Sequence, residues 1–126
     1  MKIEHLAFNV EDPIAVAAWY GEQFDLKIVK HLPEPNQTHF LSDGQGTIIE
    51  IYNNPPDEVP AYASMNPLIF HLAFVSVDPL ADAERLKAAG AIGVTEVLPG
   101  DGSHLIMMRD PWGLSIQLCK RAKAML

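Results

Sequence analysis

A nine-residue passage occurs twice in this chain. His5-Leu6-Ala7-Phe8-Asn9-Val10-Glu11-Asp12-Pro13 returns as His71-Leu72-Ala73-Phe74-Val75-Ser76-Val77-Asp78-Pro79, with His, Leu, Ala, Phe, Asp and Pro in the same order and no gap. Repetition at a fixed offset sets the architecture before any single residue is read, because each copy must be one supersecondary unit. The far ends match as well. Thr38-His39-Phe40 answers to Ser103-His104-Leu105, and Asp43-Gly44-Gln45-Gly46 to Asp110-Pro111-Trp112-Gly113. Thr47-Ile48-Ile49-Glu50-Ile51 answers to Leu114-Ser115-Ile116-Gln117-Leu118. The offset drifts slightly, as loop insertions and deletions produce. Glu50 in the first unit therefore corresponds to Gln117 in the second.

Periodicity gives both units one plan. Residues 2–10 alternate, with Leu6, Phe8 and Val10 on one side and Ile3, His5, Ala7 and Asn9 on the other, the pattern of a strand. Asp12-Pro13 reads as a helix N-cap followed by proline in the first turn. Val16, Ala17, Tyr20 and Phe24 then recur as one apolar stripe. Strands are expected at 26–31, 38–42 and 47–53, the last two as a hairpin across Asp43-Gly44-Gln45-Gly46. Residues 54–67, rich in Pro and in small or polar residues, read as a linker.

The second unit opens on a strand with His71 and Ala73 alternating against Leu72 and Phe74. A helix starts at Asp78-Pro79, turns Leu80, Ala83 and Leu86 inward and ends near Gly90, and strands follow at 92–98, 104–109 and 113–119. The expected architecture is one α+β domain over residues 1–126, built from two tandem β-α-β-β-β units, about 1–53 and 68–119, with a tail at 120–126. One unit leaves a sheet face uncovered. The two mixed sheets are therefore expected to combine as a half-barrel, helices outside and a concave site inside.

A length of 126 residues with 48% hydrophobic and 20% charged residues is that of a globular chain with a real core. The net charge of −7 argues against nucleic acid, whose phosphates need a basic face. No apolar run is long enough to cross a bilayer, and the start reads as a strand rather than a signal peptide. A single cysteine, Cys119, can form no internal disulfide, so a reducing cytoplasm is the expected location.

One histidine on a strand is ordinarily a core or surface residue, and one glutamate an edge-strand charge. The conjunction is what carries chemistry. His5 and His71 open the first strands of their units, while Glu50 and Gln117 lie on the last, all four expected on the concave face. Two imidazoles, a carboxylate and an amide oxygen make a mixed N/O set suited to a divalent ion such as Zn, Ni, Co, Mn or Fe. His39 and His104 read as strand-end polar residues and His31 as solvent-exposed. Tyr52, Met107, Arg109 and Trp112 are candidates to line the substrate cavity, with Arg109 the cation available to an anionic group.

Paired β-α-β-β-β units with His5, Glu50, His71 and Gln117 so placed resemble the vicinal oxygen chelate superfamily, and glyoxalase I-like proteins most closely. Asp110-Pro111-Trp112-Gly113 followed by Ile116-Gln117-Leu118 is similar to that family's Asp-Pro-x-Gly ending. The resemblance implies a metal-dependent lyase or isomerase acting on a small oxygen-chelating substrate, a hemithioacetal or α-hydroxycarbonyl, through an enediolate. It also implies a homodimer. Gln117 departs from the pattern, because bacterial glyoxalase I has a proton-carrying glutamate there and an amide cannot accept that proton. Dioxygenases of the superfamily likewise place a carboxylate there. Glu50, its counterpart by the repeat, is then the expected catalytic base. The alternatives are a metal-free drug- or antibiotic-binding (bleomycin-resistance) protein, and a dioxygenase or epimerase of the same superfamily.

Overall fold

The computed structural model describes residues 1–55 and 57–125, so Pro56 of the expected linker and Leu126 of the tail lie outside the described residues. The chain divides into two compact units, Met1–Pro60 and Ala61–Leu126. In the first, β1 (Leu6–Asn9) leads into α1 (Pro13–Phe24), followed by β2 (Lys27–Leu32), β3 (Thr38–Ser42) and β4 (Ile48–Tyr52). The second runs β5 (Leu72–Val75), α2 (Pro79–Ala88), β6 (Ile92–Val97), β7 (His104–Arg109) and β8 (Ser115–Lys120). Each unit holds a four-stranded mixed sheet, in the orders β1-β4-β3-β2 and β5-β8-β7-β6, with the outermost pair parallel and the rest antiparallel. This is the expected α+β plan.

The repeat extends to single hydrogen bonds. Asp12 and Asp78 each cap their helix by accepting from the backbone N–H three residues on, at 3.0 and 3.1 Å. Asp43 Oδ1 accepts from the N–H groups of Gln45 and Thr47, and Asp110 Oδ1 from those of Trp112 and Leu114. The same Asx turn thus precedes both final strands. A register shift falls between Ile28 and Lys30 in one edge strand and between Gly93 and Thr95 in the other.

Each helix covers one face of its own sheet. Val16, Ala17 and Tyr20 of α1 are buried with Phe8, Leu41, Ile49 and Ile51, and Ala83 and Leu86 of α2 with Ile106, Met108, Ile116 and Leu118. Fully burying a Val, Leu, Ile, Phe or Met side chain contributes about 1.5–3 kcal/mol. Leu80, expected inward, is 54% exposed, and its counterpart Ile14 is 57% exposed: each directly follows the first-turn proline.

Two strand starts and one linker segment depart from expectation for identifiable reasons. β1 starts at Leu6, not near residue 2, because Leu6 pairs with Ile49 and the chain preceding β4 is the Asp43 turn, which offers residues 2–4 no ladder. β8 starts at Ser115 because Leu114 is held in the Asp110 turn. Within the expected linker, Tyr62–Ser64 forms a short 3-10 helix. Arg109 anchors it, donating to the carbonyls of Tyr62 and Met65 at 2.8 and 2.6 Å.

Gly113, at φ +95°, lies against this segment, and a Cβ there would meet the Ala63 backbone at 2.6 Å. Its counterpart Gly46, at φ +112°, faces open space. Gly46→Ala should therefore cost only the backbone strain, about 1–3 kcal/mol. Gly113→Ala should cost about 1–3 kcal/mol more, because the clash is added to the strain. Denaturant unfolding of the two variants checks this, and equal losses would mean that the Ala63 approach does not matter.

Candidate functional site

The two parallel pairs place the expected ligands. Glu50 stands opposite Ala7 in the β1–β4 ladder, and Gln117 opposite Ala73 in β5–β8, so the two hold the same register position in their sheets. His5 and His71 each sit one residue before the first strand rather than on it. Phe8, Ile49 and Ile51 point to α1, so Ala7, Glu50 and Tyr52 face the opposite side by alternation.

In the first unit the geometry brings two of the expected ligands together. His5 Nε2 lies 3.1 Å from a Glu50 carboxylate oxygen. The other ring nitrogen, Nδ1, is hydrogen-bonded to the carboxylate of Glu4. Phe40, directly across from Glu50 on β3, meets the His5 ring edge-on with centroids 5.7 Å apart. The Glu4 hydrogen bond is the main force raising the His5 pKa above its ordinary 6.5; partial burial opposes it, and the charges of Glu4 and Glu50 add to it.

In the second unit His71 Nδ1 lies 3.0 Å from the Pro67 carbonyl. An acceptor on Nδ1 places the proton there and leaves Nε2 with its lone pair, the orientation in which histidine usually ligates a metal. Gln117 is differently engaged: its side-chain oxygen accepts the Cys119 thiol at 3.0 Å. Burial raises the pKa of that thiol, so the sulfur keeps its proton. Among the described residues of each unit, no three His, Cys, Asp or Glu side chains gather as a group that could hold a metal ion.

The expected cavity residues are scattered. Tyr52 is half-buried two residues after Glu50 on β4. Met107 is buried directly across from Gln117. Trp112 stands in the Asp110 turn, 36% exposed. Arg109 directs its guanidinium to the Tyr62, Met65 and Gly113 carbonyls and the Ser115 hydroxyl. Four partners at 2.6–3.2 Å make it the clamp of the 61–65 segment.

His39 and His104, matched by the sequence repeat, do not match in register. His39 pairs with Ile51 and its structural counterpart is Ile106, which pairs with Leu118. His39 is buried on the helix side, with Nδ1 on the Gln37 carbonyl at 2.6 Å and its ring stacked on His31 with centroids 4.1 Å apart. His104 instead pairs with Glu96 at 2.7 Å.

Burial lowers the His39 pKa from 6.5, the Gln37 carbonyl opposes this, and nearby His31 reinforces it. A histidine whose pKa falls on folding binds fewer protons native than unfolded, so it destabilises the fold as pH drops below 6.5. NMR titration should place His5 above and His39 below 6.5, and Glu4→Gln should bring His5 down. The reverse order would contradict both environments.

A sequence profile described as the Glyoxalase/Bleomycin resistance protein/Dioxygenase superfamily matches residues 2–118. The crystal structure of a glyoxalase family protein from Enterococcus faecalis is similar at a TM-score of 0.71 and 25% identity, covering 94% of this chain and 97% of that one. A glyoxalase family protein from Bacillus cereus superposes at a TM-score of 0.77 with 16% identity, covering 94% and 93%. A mutant glyoxalase I from Zea mays superposes at 0.74 with 22% identity, and this chain, 97% covered, spans 46% of that one. No curated protein matches.

Proposed function

Since the chain belongs to the glyoxalase/bleomycin resistance protein/dioxygenase superfamily, we propose that it is a divalent-metal-dependent lyase or isomerase of the glyoxalase I-like type. Its substrate class would be a small molecule with two adjacent oxygens, a hemithioacetal or α-hydroxycarbonyl. The observation that carries the reading is the approach of His5 Nε2 to the Glu50 carboxylate at 3.1 Å, with Nδ1 of the same ring turned onto Glu4.

The donors fit a metal in kind, and His5 and Glu50 fit one in spacing as well. Two ligands bonded to one ion at about 2.0–2.1 Å stand roughly 3–3.4 Å apart. A carboxylate behind a ligating imidazole orients the ring and raises its basicity, which is the part assigned to Glu4. The proposed ligands are His5, Glu50, His71 and Gln117, with Ni, Zn, Co, Mn or Fe as the ion. A divalent ion bound there supplies Lewis acidity toward the substrate oxygens.

Glu50 moves the proton. Gln117 has no free carboxylate to share that work, and its amide serves only as an oxygen donor. Tyr52, on the same face as Glu50, borders the substrate in this reading, as do Met107 and Trp112. The Arg109 donors already lie on its own loop, so its contribution is to hold the 61–65 segment. The expected assembly is a homodimer.

A second reading is favoured by Gln117, whose amide oxygen is directed to the Cys119 thiol: a small-molecule binding protein without metal or turnover. Elemental analysis of protein purified without chelator or affinity metal separates the two readings. Near-stoichiometric divalent metal that is lost in His5→Ala, His71→Ala is expected. Glu50→Gln should then lower turnover on hemithioacetals by about 10²–10⁴-fold while metal is retained. No uptake of Ni, Zn, Mn or Fe would leave the binding protein as the function.

A further inference from the structure

Across the first sheet, on the side away from α1, the registers align one row of residues from four neighbouring strands. Ala7 pairs with Glu50, Glu50 with Phe40, and Phe40 with Lys30. Contacts confirm that the last two side chains share a face: the Lys30 ammonium lies 5.7 Å from the Phe40 ring centroid. That is within the range of a cation–π attraction, which holds the flexible lysine over the ring. The opposite edge of the arrangement is His5, whose ring meets Phe40 at 5.7 Å and whose Nε2 meets Glu50. The row therefore reads carboxylate, aromatic ring, ammonium.

What sets Lys30 apart is its place: the ammonium lies over Phe40, the strand neighbour of Glu50, and among the described residues no carboxylate pairs with it. The second unit does not repeat the set. Its corresponding row is Ala73, Gln117, Met107 and Thr95, with no acid, no ring and no cation. The polarity thus belongs to the first unit alone. On a chain of net charge −7, an anionic ligand needs a local cation to approach a face that already carries Glu4 and Glu50.

We propose that the ligand is a small carboxylate with a flat, apolar middle, its carboxylate held by Lys30. This rests on the function proposed above, because its two adjacent oxygens lie at His5 and Glu50. The middle packs on Phe40 and the carboxylate meets the Lys30 ammonium. The ammonium lies over Phe40, 5.7 Å from its centroid, and Glu50 is on the adjacent strand, so the two ends are separated by about one aromatic ring.

The test compares two probes by titration calorimetry on the full chain, nickel-loaded and metal-free. One is 4-carboxybenzohydroxamate and the other its neutral analogue, 4-carbamoylbenzohydroxamate. The wild type should prefer the carboxylate about five- to tenfold, as a charge-assisted contact at a partly exposed site supplies. That preference should vanish in Lys30→Gln and persist in Lys30→Arg. Metal-dependent binding with equal affinities, or a preference that survives Lys30→Gln, overturns the inference and leaves the metal reading standing. A Lys30-dependent preference unaffected by nickel supports the ligand class and removes the metal reading. Failure of both probes to bind overturns the inference.

Discussion

The arrangement depends on one pairing, the parallel ladder between the first and last strands of each unit. β1 and β4 come from opposite ends of their unit, and only their parallel register sets Ala7 beside Glu50 and lets His5 reach the carboxylate. A one-residue slip would turn Glu50 toward α1, among Phe8, Tyr20 and Leu41, where an unpaired carboxylate is costly. The hydrophobic packing of α1 against Phe8, Ile49 and Ile51 therefore also fixes the chemistry on the other face.

The two units are built alike on the helix side of their sheets and differ on the other side. On the helix side their counterparts are alike in kind: Phe8 and Phe74, Ile49 and Ile116, Ile51 and Leu118, Leu41 and Met108. Away from the helix, Glu50 stands against Gln117, Phe40 against Met107 and Lys30 against Thr95. Packing restricts the first set to apolar side chains of suitable volume. The second set escapes that restriction, so one fold carries two different surfaces.

Local signals were readable wherever the chain supplies its own partners. The Asp-Pro pairs announced both helices because cap and capped N–H lie three residues apart. The Asp43 and Asp110 turns were visible for the same reason. The 3-10 helix at Tyr62–Ser64 was not, because what holds it is Arg109, distant in sequence. The pairing of His39 with His104 misled for a related reason. Letter similarity across a loop of changed length does not report register, and the ladders assign His39 to Ile106 instead.

The order of strands and helices, the equivalence of Glu50 with Gln117 and the apolar stripes were settled by the chain itself, through short-range capping and the alternation of side chains. The tertiary structure decided which polar groups meet. It turned His5 onto Glu4 and Glu50, gave the Gln117 amide to Cys119, committed Arg109 to backbone carbonyls and laid Lys30 over Phe40. The contacts of His5 with Glu50, Arg109 with Met65 and Lys30 with Phe40 join segments distant in the sequence, and a sequence specifies these only through the packing of the whole unit.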